Sequence, residues 1–131
     1  MFLSGFRAEP ARGWMLEDVT AGALVARHVE GALDSASRRR GLLGRDGLHD
    51  TALVIAPCSA IHTFFMRFPI DVIFVDRHGV VVKVTPDLPA WRIAGAWGAH
   101  AVCEVASGAV RRTGTRAGNR LILRPVGSPA A

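Results

Sequence analysis

The sequence predicts a mostly-β fold of the α+β class: a small bent sheet or barrel of about six to eight strands with one short helix. Three observations lead there. Short runs rich in valine, isoleucine and leucine recur at 22–29, 51–56, 70–75, 79–85, 100–106 and 119–124. Turns bearing glycine or proline separate them, and the regular strand–helix alternation of a βαβ protein is missing. Only the stretch after Asp34-Ser35 carries helix start and stop signals.

Residues 1–13, with Pro10 and Gly13 and no periodicity, read as a loose arm, followed by one globular domain over 14–125 and a tail over 126–131. Trp14–Glu17 suits a short edge strand and Gly22–Val29 a longer one. Asp34 or Ser35 caps a helix by accepting from the free N–H groups of its first turn. That helix is expected to run to about Leu43 and stop at Gly44. Its Arg38-Arg39-Arg40 triplet reads as a solvated face near the negative helix end. Thr51–Ala56 is the next strand, closed by Pro57.

Ile61 to Asp76 is the densest apolar segment, yet it carries His62, Arg67 and Asp71. Pro69 forbids a continuous helix. Ile70–Val75 therefore reads as a strand buried on both faces, and Asp71 inside it needs a partner. An arginine is the expected one: Arg67, Arg45 or Arg40. Asp76-Arg77-His78-Gly79 reads as a hairpin turn into the partner strand 79–85. Pro86 to Gly98 is a long connection holding Trp91 and Trp97, suited to a binding loop or to covering an open end of the core. Strands at 100–106 and 119–124 complete the set.

The chain has 131 residues, half of them apolar, and a formal charge of +5. This length is enough for one domain to bury a core, and the composition excludes disorder. Lys83 is the one lysine among sixteen basic residues, and the charges are dispersed apart from the triplet. That is a basic surface with no stripe for specific nucleic-acid binding. Cys58 and Cys103 show no CxxC spacing and are expected to be reduced and unpaired. No signal-peptide pattern opens the sequence and no apolar run reaches membrane-spanning length, so a soluble cytoplasmic protein is expected.

Arg38-x-x-Gly41-Leu42-Leu43-Gly44-Arg45 is followed in order by the block His62–Asp76, Pro89-x-Trp91-Arg92, Gly98-Ala99, Glu104-x-x-x-Gly108 and Gly118-x-Arg120. The pattern resembles the small bacterial and archaeal family called domain of unknown function 192, over about residues 20–124. Family members often have methionine where Leu43 stands and aspartate where Asn119 stands. The resemblance implies a compact mostly-β domain and assigns no activity.

His62, Asp71 and Glu104 form a conceivable metal set, but no HxH, HExxH or Cys/His spacing supports it, and no metal or cofactor is expected. Cys58, Ser59 and His62 lie close together without a hydrolase signature; an enzyme of that kind would use Asp71 with His62. The leading expectation is a non-catalytic module that binds a small polar or anionic ligand near His62–Asp71. Arg45 and Arg67 would supply donors, Asp71 and Glu104 would orient them, and Trp91 would supply an apolar wall, with His62, Met66 and Arg92 as further candidates. The competing account is a purely structural or protein-interaction domain, with the carboxylates neutralising arginines inside the fold. Oligomeric state is not legible.

Overall fold

The computed structural model describes residues 1–127. Within them the chain is mostly β, with ten strands and three short helices. It opens with helix α1 (Ser4–Ala8) and a 3-10 turn (Pro10–Arg12), then strands β1 (Trp14–Asp18), β2 (Ala23–Ala26) and β3 (His28–Ala32). Helix α2 (Ser35–Arg40) precedes β4 (Thr51–Ile55), β5 (Ala60–His62) and β6 (Ile70–Val75). Strands β7 (Val81–Leu88), β8 (Ile93–Gly95) and β9 (Ala101–Ala106), helix α3 (Ala109–Thr113) and β10 (Leu121–Pro125) complete it.

A five-stranded sheet in the order β3-β4-β9-β6-β7 forms the centre; its β3–β4 pair is parallel and the rest antiparallel. An antiparallel sheet β10-β1-β2 lies apart from it, and β5 and β8 make a two-stranded ribbon. These sheets stay open among the described residues; the barrel alternative is not what forms.

Side chains alternate across a pleated strand, and that alternation sorts the core into two layers. Val54, Ile73, Val75, Cys103 and Val105 face one way, onto Leu16, Val25 and Leu121 of the three-stranded sheet. Leu53, Ile55, Val72, Phe74 and Val102 face the other, under Leu42, Ile61, Met66 and Ala94. All six residues of β6 are buried, as a strand covered on both faces requires. Burying each of its large side chains contributes about 1.5–3 kcal/mol.

Several local expectations are corrected. The N-terminal arm is packed, because Phe2 and Leu3 join the first core layer and Phe6 lies over Gly31, where a Cβ would meet its ring at 2.5 Å. Strand β1 sits in the middle of its sheet rather than at an edge. The expected strand 22–29 is two strands, with the chain changing sheets at Arg27. Asp34 caps α2 and Ser37 completes a reciprocal cap, but the helix ends at Gly41. Gly41 takes a positive φ of 48°, which turns the chain early and lets Leu42 bury. The connection 86–98 is partly ordered into β7 and β8. Both of its tryptophans are exposed, Trp97 fully, so neither seals the core. The hairpin after β6 forms, and Gly79 is required there: a Cβ would meet the Leu121 carbonyl at 2.3 Å. The part of the expected tail beyond residue 127 lies outside the described residues.

Candidate functional site

A pocket of about 460 Å³ opens on the second face of the central sheet. Helix α2 and the turn after it supply one side, with Arg38, Arg39, Arg40, Leu42 and Leu43. The end of β4 and the following residues supply Ile55, Pro57 and Cys58; β5 and the loop behind it supply Ile61, His62 and Met66. Glu104 from β9 reaches in from the sheet. Its direction follows from register: opposite Leu53 on one side and Val72 on the other, it must share their face.

Glu104 is 4 % exposed and has no hydrogen-bond partner among the described residues. Removing a carboxylate from water without a compensating donor disfavours its charged form. Burial accordingly pushes Glu104 up to about 7 from its ordinary 4.5. Cys58 donates its thiol hydrogen to the Ala60 carbonyl at 3.1 Å. Burial raises that thiol above its usual range, and the neighbouring Glu104 charge adds to the rise. A raised thiol is a poor nucleophile at neutral pH.

The arginine triplet divides its work. Arg38 is pinned, donating to the Leu33 carbonyl at 3.0 Å, the Ala56 carbonyl at 3.4 Å and Ser35 Oγ at 3.4 Å. It fastens α2 to the ends of β3 and β4. Arg39 and Arg40 are exposed, line the pocket, and have no partner among the described residues. His62 Nδ1 accepts from the Phe64 amide at 3.2 Å, and its ring stacks on Phe64.

Of the residues proposed from the sequence, His62, Met66 and Glu104 are thus brought together, and the others go elsewhere. Arg45 grips Glu30 with two hydrogen bonds of 2.8 and 2.7 Å. Arg67 pairs with Asp46 at 2.9 Å in an exposed position. Trp91 stacks on Phe64 and meets Phe65 edge-on, and both Phe65 and Trp91 carry positive φ and remain exposed. Arg92 reaches the Trp91 carbonyl at 3.3 Å.

Asp71 departs furthest from expectation. It is fully buried, but no arginine meets it. Its Oδ1 accepts from the Asp87 amide at 2.8 Å, and its Oδ2 from the Gly108 and Val110 amides, each at 3.0 Å. The bulge of β7 opposite Asp71 frees the Asp87 N–H from the ladder, and the start of α3 offers the other two. Three amide donors satisfy a carboxylate without a cation. Asp71 lies opposite Val105, on the face away from the pocket. It therefore shares no site with His62 or Glu104, either as a general base or as a metal ligand. Among the described residues no group of three or more His, Cys, Asp or Glu side chains is placed to hold a metal.

Sequence reasoning missed Thr63. Its hydroxyl donates to the Pro89 carbonyl at 2.6 Å and accepts from the Arg92 amide at 2.9 Å. Its backbone N–H donates to the Arg92 carbonyl, and its carbonyl accepts from the Trp91 amide. The two sequence blocks around 62–67 and 89–92 are thereby one structural unit. Asn119 likewise has a structural task, donating to the buried Asp18 at 2.9 Å. An aspartate in its place would set two carboxyl groups against each other.

The family described as uncharacterized ACR, domain of unknown function 192, matches residues 17–123, and the chain belongs to it. No curated protein matches the chain. A protein of unknown function from Novosphingobium aromaticivorans has the same fold, with a TM-score of 0.72 at 23 % identity, covering 83 % of this chain and 82 % of that one. A protein described as a putative transcription regulator from Sinorhizobium meliloti matches with a TM-score of 0.71 at 21 % identity, covering 84 % of this chain and 91 % of that one. At those identities the likeness speaks for the fold alone. No helix among the described residues is long and apolar enough to cross a membrane.

Proposed function

We propose that this domain binds a small molecule carrying an anionic group in the pocket between α2, β5 and β9, without acting on it chemically. The observation that carries the reading is a concave site in which three charged side chains have no partner among the described residues: Arg39 and Arg40 at the rim and Glu104 inside. Binding pockets characteristically combine apolar walls with a few convergent polar groups. Here Leu42, Ile55, Ile61 and Met66 are the walls. The rim guanidinium groups suit a carboxylate or phosphate, which they hold in a two-pronged geometry. The raised Cys58 thiol is a poor nucleophile, and the fully bonded Asp71 lies on the other face of the sheet, so the pairing of Asp71 with His62 that the hydrolase alternative needs does not form. A cytoplasmic setting is part of the proposal, and the two free cysteines suit it.

Thermal unfolding in the presence of acetate, hexanoate, phosphate and sulfate tests this. A saturable rise in Tm with at least one of them is expected, since a ligand at a hundred times its Kd stabilises by about 2.7 kcal/mol. The rise should vanish in the Arg39→Ala/Arg40→Ala double variant. A Tm that none of these anions moves, or a shift that survives the double variant, contradicts the reading.

A further inference from the structure

The Glu104 carboxyl is the part of the pocket that an anion does not explain. Placing an anion against it would bring like charges together in a poorly solvated site. Among the described residues, nothing answers it. The residues directly opposite on β4 and β6 are Leu53 and Val72. Cys58 and His62 contribute no hydrogen bond to it, Cys103 on its own strand points to the other face, and Arg38 is spent on backbone carbonyls. Arg39 and Arg40 are exposed toward the mouth.

We infer that the ligand is an amino-carboxylate, or an equivalent anion bearing an amine, whose two charged ends are separated by an apolar spacer. The inference rests on the pocket reading above and deepens it. The ammonium group seats against Glu104, the spacer runs along Ile55, Ile61 and Met66, and the anionic end meets Arg39 and Arg40. Each polar group without a protein partner then acquires one of opposite charge. A buried carboxylate paired with a hydrogen-bonding cation is favoured where the lone ion is not.

Charge pairing at Glu104 couples binding to protons. The free carboxyl is largely protonated below about pH 7 and must ionise to hold an ammonium group. Binding at pH 6 therefore releases up to about one proton, and affinity climbs by up to roughly tenfold per pH unit until Glu104 is ionised in the free protein.

The test uses calorimetry on the full chain with hexanoate, hexylamine and the series from 4-aminobutanoate to 6-aminohexanoate. At pH 7.5 at least one amino-carboxylate is expected to bind tenfold or more tightly than hexanoate. Glu104→Gln should bring that compound down to the level of hexanoate, with hexanoate binding itself unchanged or improved. Arg39→Ala/Arg40→Ala should weaken hexanoate and the amino-carboxylates alike. To separate charge from packing, proton release by the unmodified protein, read from heats in buffers of different ionisation enthalpy at pH 6, provides a second readout. Hexanoate binding that depends on Arg39 and Arg40, with no gain from the amine, overturns the amine assignment and leaves the anion-site reading standing. Absence of binding by every amino-carboxylate, or binding without proton release at pH 6, overturns it as well.

Discussion

Asp71 and Glu104 occupy adjacent strands of one sheet, and both are buried. They stand on opposite faces, and their surroundings differ in kind. Asp71 receives three backbone amides and ties β6, the β7 bulge and the start of α3 together. Glu104 receives none and borders a cavity. A buried carboxylate is therefore not in itself a sign of a site. What sets Glu104 apart is a carboxyl that no described residue bonds and that faces the open space of a pocket.

The largest effect is expected at Asp71. Replacing it with alanine strands three amide donors, at about 1–2 kcal/mol each, so Asp71→Ala should lose roughly 3–6 kcal/mol in urea unfolding. A loss below about 1 kcal/mol would show that the amides do not depend on it. Glu104 should behave in the opposite sense. Its folded pKa of about 7 lies above the ordinary 4.5, so its contribution to stability is full below pH 4.5 and lost as pH rises to about 7. Glu104→Gln removes that loss and should gain about 3 kcal/mol at pH 8, with little difference at pH 4.5. Destabilisation at pH 8 would place a hidden partner beside the carboxylate.

Smaller effects sharpen the contrast between spent and unspent arginines. Arg67→Ala removes an exposed pair with Asp46 and should cost less than about 1 kcal/mol. Arg39→Ala and Arg40→Ala break nothing in the protein and should shift stability by no more than about 0.5 kcal/mol each. A larger loss at either would mean that it supports the fold, and the rim would no longer be available to a ligand.

Local chemistry made much of the fold legible. Strand β6 was readable residue for residue from its unbroken β-branched run, and the hairpin from Asp76 to Gly79. What local chemistry does not encode is which strands become neighbours and in what register. That is why Asp71 and Glu104 looked like partners: their separation onto two faces is fixed only once β9 aligns Val105 with Asp71 and Glu104 with Val72. The same limit hid the pairing of β5 with β8, which orders part of what read as one long loop. Phe2, Leu3 and Phe6 were overlooked because five residues of helix give little periodicity and Pro10 and Gly13 suggest looseness. Thr63 gave no signal, since a lone threonine in an aromatic run has no signature until its backbone partners are known. Arg39 and Arg40 lay in plain view, but whether a guanidinium is spent or free depends on the tertiary structure.

The central claim is that Glu104 is buried, unpaired and open to a pocket. Its side-chain carboxyl carbon, followed by NMR on the folded protein with labelled glutamate from pH 4 to 9, reads that claim directly. A titration midpoint of about 7 is expected. A midpoint at or below the ordinary 4.5 would mean that solvent or a cation already answers the charge, and would contradict it.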